Sequence, residues 1–443
     1  MLKAIFEDNV EVVDAENNPP FSLEYDYGAI TETKKNATKK WNTLSPEERV
    51  GTGCDFKQFQ INEGVVGYTD AALYSSKNYY LLKNEVAKRL ECSNVLQILP
   101  INEINIEQAL LELVENMENI EHIKELYKLR KKSVGDSKNA GITTAESARL
   151  RNCIRQGREL YLSGKNGTLM VKPLNFFYSL TAYAYAEIIL NNPIRYTLDA
   201  LPGSHGINYI PDGVKVQFGG DMPHGTFSDL FCAFPTLLTK NKNIEVVQDN
   251  TASLLAFFKI RNTTNIGTLL SMIPEVREYY RLITGNRSRT HPLEILVSSD
   301  PRKVIWEFQI GDGETKPDQN DVVRSFDGFK VSDRHGKFVV EVPAIDSHKI
   351  KASMYVDSRG EFWYIENPFF PVILPEVCIH FLLTNTFSNI MRYSPDNWGS
   401  ILFNEVDSDV SLITRKYLSA FENKMPILML RSISKYYPYV LQS

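Results

Sequence analysis

Residues 203–231 read GSHGINYIPDGVKVQFGGDMPHGTFSDLF. The segment is too rich in Gly and Pro to be a helix and too long to be an idle turn. Loops of this length inside compact domains are uncommon and tend to be functional or disordered. Aromatic and aliphatic residues run throughout this one, which marks it as ordered. It holds His205 and His224, two of the seven His of the chain, with Asp221 between them and Gly206, Gly219, Gly220 and Gly225 around them. Gly at such positions lets a backbone approach a ligand closely.

A helical hairpin leads into this segment. Thr143, Thr144, Ala145 and Glu146 form a capping box, in which hydroxyl and carboxylate satisfy opposite orphan amides. The first helix runs to about 162, and 163–167 is a loop. Pro173 then sits at the start of a second helix over 174–190. Its face of Phe176, Phe177, Leu180, Tyr183, Ala184 and Ile188 is almost wholly apolar, as a central helix requires. Pro193 stops it.

Further upstream, Ile106, Leu110, Leu113, Met117, Ile120, Ile123 and Tyr127 recur every three or four positions and predict one amphipathic helix over 105–132. Acidic residues crowd its first half and basic residues its last turns, matching the helix dipole. Its spacing suits a partner helix or a surface helix packed on its own domain. Residues 134–141 read as a linker. Downstream, a helix is expected over 268–284, then strands at 293–297, 304–310, 338–342, 354–356 and 362–365, with 357–361 as a Gly-containing hairpin loop. Helices return at 376–392 and 407–422. Before residue 100 the pattern is mixed, with strands at 2–13 and 21–27, a solvated polar stretch at 34–40 and a helix at 71–90.

The resulting expectation is an α+β chain, mainly helical. It comprises a mixed α/β N-terminal region (1–100), a helical core (101–290) holding the hairpin 143–190 and the Gly/His loop 203–231, an antiparallel β-rich insertion (291–366), and a C-terminal helical part (367–443) packing on the core.

With 443 residues, 43% of them hydrophobic and 23% charged, the chain can bury sizeable cores. A net charge of −5 is small for this size and supplies no whole-molecule field for nucleic acid or anionic membranes. The start has neither the basic flank nor the apolar run of a secretory signal, and no stretch approaches the length of a membrane span. A soluble cytoplasmic protein is expected, with no membrane association. Cys54, Cys92, Cys153, Cys232 and Cys378 lie far apart without a C-x-x-C pair, so reduced, buried thiols are expected.

Several stretches together carry a resemblance: RQGRELY (155–161), VKPLNFFY (171–178), HisGly (205–206) with its Gly/His/Phe segment, LPEVCIHF (374–381), MRYSPDNW (391–398) and MetPro (425–426). Over roughly 145–235 and 365–435 the chain resembles the YaaC-like family of bacterial proteins. The resemblance implies a helical core and no established reaction. A basic run that tends to follow the HisGly pair in that family is replaced here by INYIPDG (207–213), and the first hundred residues look like an addition.

Three sets of side chains are candidates for chemistry. His205, Asp221 and His224 offer two imidazoles and a carboxylate, a sufficient first shell for zinc, manganese or iron; no helical H-E-x-x-H pair fixes their geometry. The plain alternative is that both His bond backbone groups that the loop leaves open. Arg392 and Trp398 form the second set, in which the guanidinium stacks on an aromatic ring or reaches a carboxylate such as Asp396. A structural lock is the plain reading there. Arg151, Arg155 and Arg158 share a helix face that could meet phosphates or an acidic partner, or simply face solvent. No Walker loop, dinucleotide fingerprint, nucleophile elbow or kinase signature is present.

The leading functional expectation is an interaction or regulatory protein acting through binding, to a protein partner or as a homo-oligomer, as a component of a multi-protein system such as antiviral defence. Nucleic acid would enter only through the local basic helix face. The alternative is a metal-dependent hydrolase or nuclease at His205, Asp221 and His224, with a divalent metal as its cofactor.

Overall fold

In the computed structural model the described residues are 27–53, 56, 59, 97–101, 105–133, 141–192, 195–201, 203–211, 214–218, 225–233, 236–240, 243–247, 263–297, 305–313, 315–343, 354–370, 374–403, 408–434 and 436–440. The strand expected at 2–13, nearly all of that at 21–27, the helix at 71–90 and most of the linker at 134–141 lie outside them. So do Asp221 and His224.

The molecule is mainly helical α+β, as the sequence predicts. Helices α1 (Tyr27–Thr43) and α2 (Pro46–Gly51) come first. The polar stretch 34–40 is therefore helical, with Ala37 buried. Strand β1 (Gln97–Ile101) pairs in parallel with β13 (Tyr436–Val440), which joins the two ends of the described core.

The helix expected over 105–132 is two helices, α3 (Ile106–Asn116) and α4 (Ile120–Ser133). No Gly or Pro breaks it. Asn119 does, because its Oδ1 accepts from the amides of Glu121 (2.9 Å) and His122 (3.1 Å) and so starts a new helix. Met117, Ile123, Leu126 and Tyr127 remain buried, so the apolar stripe is real although the rod is bent.

Helix α5 (Thr144–Asn166) begins at Thr143, whose hydroxyl accepts from the Glu146 amide, and extends one turn past its expected end. Helix α6 (Lys172–Asn191) is buried along nearly its whole length and packs against α5 on one side. Close packing of the hairpin depends on two Gly of α5, since a Cβ at Gly157 would lie 2.8 Å from the Tyr183 ring and one at Gly164 would lie 2.7 Å from the Phe176 ring.

The Gly/His segment is more regular than its composition suggests. It forms a hairpin of β2 (Ile207–Ile210) and β3 (Lys215–Phe218), with β6 (Thr263–Asn265) adding to β3, and a short helix α7 (Thr226–Cys232). Strands β4 (Thr236–Lys240) and β5 (Asn243–Val247) form a separate antiparallel pair. The helix expected over 268–284 is interrupted, because Pro274 cannot continue a helix from the preceding residues. It consists of α8 (Ile266–Leu270), a 3-10 turn (Pro274–Val276) and α9 (Arg277–Thr284).

The β-rich part is one antiparallel sheet in the order β11-β12-β7-β8-β10-β9. Its strands are β7 (Thr290–Val297), β8 (Ile305–Ile310), β9 (Lys330–Arg334), β10 (Lys337–Pro343), β11 (Met354–Val356) and β12 (Phe362–Ile365). Along β8, Trp306, Phe308 and Ile310 point inward while their neighbours are half-buried, the two-residue period of a one-faced sheet. Helix α10 (Gln319–Ser325) lies between β8 and β9 in the chain.

Three helices complete the core: α11 (Glu376–Tyr393), α12 (Pro395–Leu402) and α13 (Ser408–Ile433). α13 runs past the end expected at 422, with Pro426 inside it. A proline has no N–H to offer the carbonyl four residues back. That carbonyl, of Glu422, accepts instead from the Tyr161 hydroxyl at 2.8 Å. Helix α6 also packs on α7, α11 and α13, so the apolar helix is the shared centre of the fold. Lys424, fully buried on α13, pairs with Glu275 (3.0 Å) and Glu376 (2.8 Å) and donates to the Val356 carbonyl, linking the helices to the sheet. Burial alone would push this ammonium down; the two carboxylates outweigh it and hold its pKa above the ordinary value.

Candidate functional site

His205 stands just before β2, and its loop is closed by short backbone bonds. Thr226 N–H donates to the Ser204 carbonyl at 2.9 Å and Phe227 N–H to the His205 carbonyl at 3.1 Å. Gly225 makes this closure possible. It has φ 106° and ψ 177°, backbone space essentially reserved for Gly, and a Cβ there would lie 2.3 Å from the Gly206 nitrogen.

The His205 ring meets two neighbouring residues of α6. Its edge packs on Phe177 at 4.8 Å between centroids, and Tyr178 lies 6.3 Å away. Tyr178 is exposed on a helix most of whose residues are buried. Its hydroxyl accepts a long 3.4 Å bond from the Arg392 guanidinium, which reaches across from the end of α11.

A polar run on α11 aims that guanidinium. Asn385, Asn389 and Arg392 follow one another at helical spacing, so they share one face. Asn389 Nδ2 donates to the Asn385 carbonyl and Oδ1, each at 2.9 Å, while its own Oδ1 accepts from Arg392 at 3.0 Å. The guanidinium also lies over the Tyr393 ring at 4.9 Å.

Several other guanidinium groups face carboxylates: Arg158 on Glu118 at 2.7 Å, Arg277 on Asp312 at 2.7 Å, Arg287 on Glu366 at 2.9 Å and Arg195 on Asp229 at 3.1 Å. Arg392 faces a neutral amide and a phenol, and among the described residues it makes no ion pair. Its Nε and the Nδ1 of His205 are both buried without a hydrogen-bond partner. Burial pushes the His205 pKa below its ordinary value, and Arg392 pushes it further the same way. A guanidinium and an imidazole thus meet with no described acid to neutralise the guanidinium charge.

The residues singled out in the sequence divide accordingly. His205 and Arg392, taken from separate sets, come together. Trp398 is fully buried against Phe387, at 6.1 Å between centroids, and the ring on which Arg392 stacks is that of Tyr393. Arg155 and Arg158 converge on Glu118, the first at 3.9 Å, while Arg151 donates to Asn152. The basic face of α5 is thus partly neutralised by the α3–α4 junction. No group of three or more metal-ligating side chains forms among the described residues. Tyr178 and Asn389 were not candidates in the sequence; a polar residue repeating at i, i+4 and i+7 on an apolar helix is the signal that would have found Asn389.

Two other histidines are fully buried. His291 uses both ring nitrogens, one on Glu366 at 2.8 Å and one on the Thr315 carbonyl at 2.9 Å. His380, pushed down to about 3 by burial and then by Lys424, stays neutral beside the Tyr417 hydroxyl. Among the described residues no helix is long and apolar enough to cross a membrane.

No curated protein and no solved structure matches the chain. A family model does match, that of the YaaC-like proteins, over residues 115–433. The matched span runs across the six-stranded sheet as well as the helices. Tyr178, His205, Asn389 and Arg392 all fall inside the span, and residues before 115 precede it. On that match, over more than half of its length, the chain belongs to the YaaC-like protein family.

Proposed function

We propose that this protein acts through binding, and that it binds an anionic ligand between Arg392 and His205. The observation that carries this reading is the half-buried guanidinium of Arg392, oriented by Asn389 and Tyr178 yet left without an ion pair among the described residues. Burying a cation without a counter-charge is costly, and a protein that retains such an arrangement gains most when an anion completes it. The His205 ring, whose Nδ1 has no hydrogen bond among the described residues, becomes a second donor once an anion offsets Arg392. The Asn385–Asn389 pair orients the donor side without quenching it.

Calorimetric titration with sulfate and with inorganic phosphate tests this. Hydrogen bonds to charged groups contribute about 1.5–3 kcal/mol each. Arg392→Gln, which keeps polarity and length but removes charge, is therefore expected to weaken binding by about ten- to hundredfold. Binding that is absent from the wild type, or that is unchanged in Arg392→Gln, contradicts the reading.

A further inference from the structure

We infer that the anion is the phosphate of a nucleotide, with its base stacked on Tyr393; this rests on the anion-binding reading above and adds the class of ligand. Tyr393 ends α11 with its ring 71% exposed, an unusual place for a large aromatic side chain. The ring is held, since the Arg392 guanidinium lies 4.9 Å from its centroid. Tyr178, 37% exposed, meets the same guanidinium through its 3.4 Å hydroxyl contact. The site therefore offers a cationic donor and accessible aromatic rings within one side chain's reach of each other. A phosphate ester of a flat heteroaromatic group matches both parts, whereas inorganic phosphate or a simple carboxylate uses only the first.

The surroundings favour a small nucleotide over a nucleic acid strand. One guanidinium with one imidazole donor suits a single phosphate group. A strand needs a basic track along its backbone, and the net charge of the chain is −5. The basic face of α5 is also partly engaged, with Arg155 and Arg158 both directed at Glu118.

The test uses the full-length protein and four probes: adenosine 5′-monophosphate, guanosine 5′-monophosphate, adenosine and inorganic phosphate. Base–aromatic stacking accounts for about five- to hundredfold in affinity per base. At least one of the two nucleotides is expected to bind at least fivefold more tightly than phosphate, and adenosine more weakly than either nucleotide. Tyr393→Ala, at an exposed position that tolerates truncation, should bring nucleotide affinity down to that of phosphate measured on the same variant. Phosphate binding with no preference for nucleotides, or a preference that survives Tyr393→Ala, overturns this inference and leaves the anion site standing. Failure of every phosphate-bearing probe overturns both. Nucleotide binding that persists in both Arg392→Gln and His205→Ala places the ligand elsewhere and likewise overturns the inference. Thermal melting of each variant shows that its fold is kept.

Discussion

Glu187, on the buried face of α6, makes the fold sensitive to pH in a calculable way. Its carboxyl group is fully buried, with one oxygen bonded by the Asn191 side chain and the other without a partner. Burial pushes its pKa from 4.5 up to about 8, against the opposing influences of Arg130 and the Asn191 amide. The folded state thus holds a proton that the unfolded chain gives up above pH 4.5. Stability from this group is complete below that pH, falls as pH rises, and is lost by the time pH passes about 8. At about 1.4 kcal/mol per unit, the full loss is about 4–5 kcal/mol, of which about 3–4 kcal/mol falls between pH 5 and pH 8. Glu187→Gln keeps the shape and cannot ionise. Its new N–H lacks a described acceptor, which costs about 1–3 kcal/mol at every pH, so the informative quantity is the change with pH. Urea unfolding at pH 5 and pH 8 should show the variant gaining about 3–4 kcal/mol relative to wild type across that interval. A difference independent of pH, or one that grows against the variant at pH 8, would mean that Glu187 is ionised and paired with Arg130, and would refute the reasoning.

Two structural predictions accompany it. Gly225→Ala places a methyl group against the Gly206 backbone in conformational space that Ala rarely adopts. It should cost at least about 1–3 kcal/mol in denaturant unfolding and weaken anion binding through His205; unchanged stability and binding would show that the loop closure is unimportant. Tyr161→Phe removes the donor that satisfies the carbonyl opposite Pro426 and should lower stability by about 1–3 kcal/mol. An unchanged urea midpoint would mean that the carbonyl finds another donor at no cost.

Much of the architecture was legible in the sequence because it rests on periodicity. The apolar face around Phe176, Phe177 and Leu180 marked α6 as central, and alternation marked β8, β10 and β12 close to their observed ends. What periodicity cannot see is a local bond that interrupts or rescues an element. Asn119 splits an unbroken apolar stripe with its side chain, and Tyr161 lets a helix run through Pro426 from a distant part of the chain. The hairpin of β2 and β3 had a readable signal, an apolar run on each side of Pro211-Asp212-Gly213, that was outweighed by the Gly content around it.

The candidate site was only half legible. His205 and Arg392 each stood out, one from a Gly-rich loop and one from a helix end, but nothing in either neighbourhood pairs them. Their meeting depends on α6 and α11 packing together so that Tyr178 lies between them. Trp398, nearer in sequence, looked the better partner and went into the core, as a large aromatic side chain on the apolar side of a short helix does.

The most direct test of a shared anion between Arg392 and His205 is the His205 titration itself, followed by NMR and assigned with His205→Ala, with and without sulfate, which carries a fixed charge over the range. Without sulfate its pKa should lie below the ordinary 6.5, for burial and for the nearby Arg392. An anion held by both groups should raise it by about one unit or more, and the rise should shrink in Arg392→Gln. A His205 titration that sulfate leaves unmoved, while Arg392→Gln alone raises it, would mean that the two groups meet without an anion between them and would contradict the account.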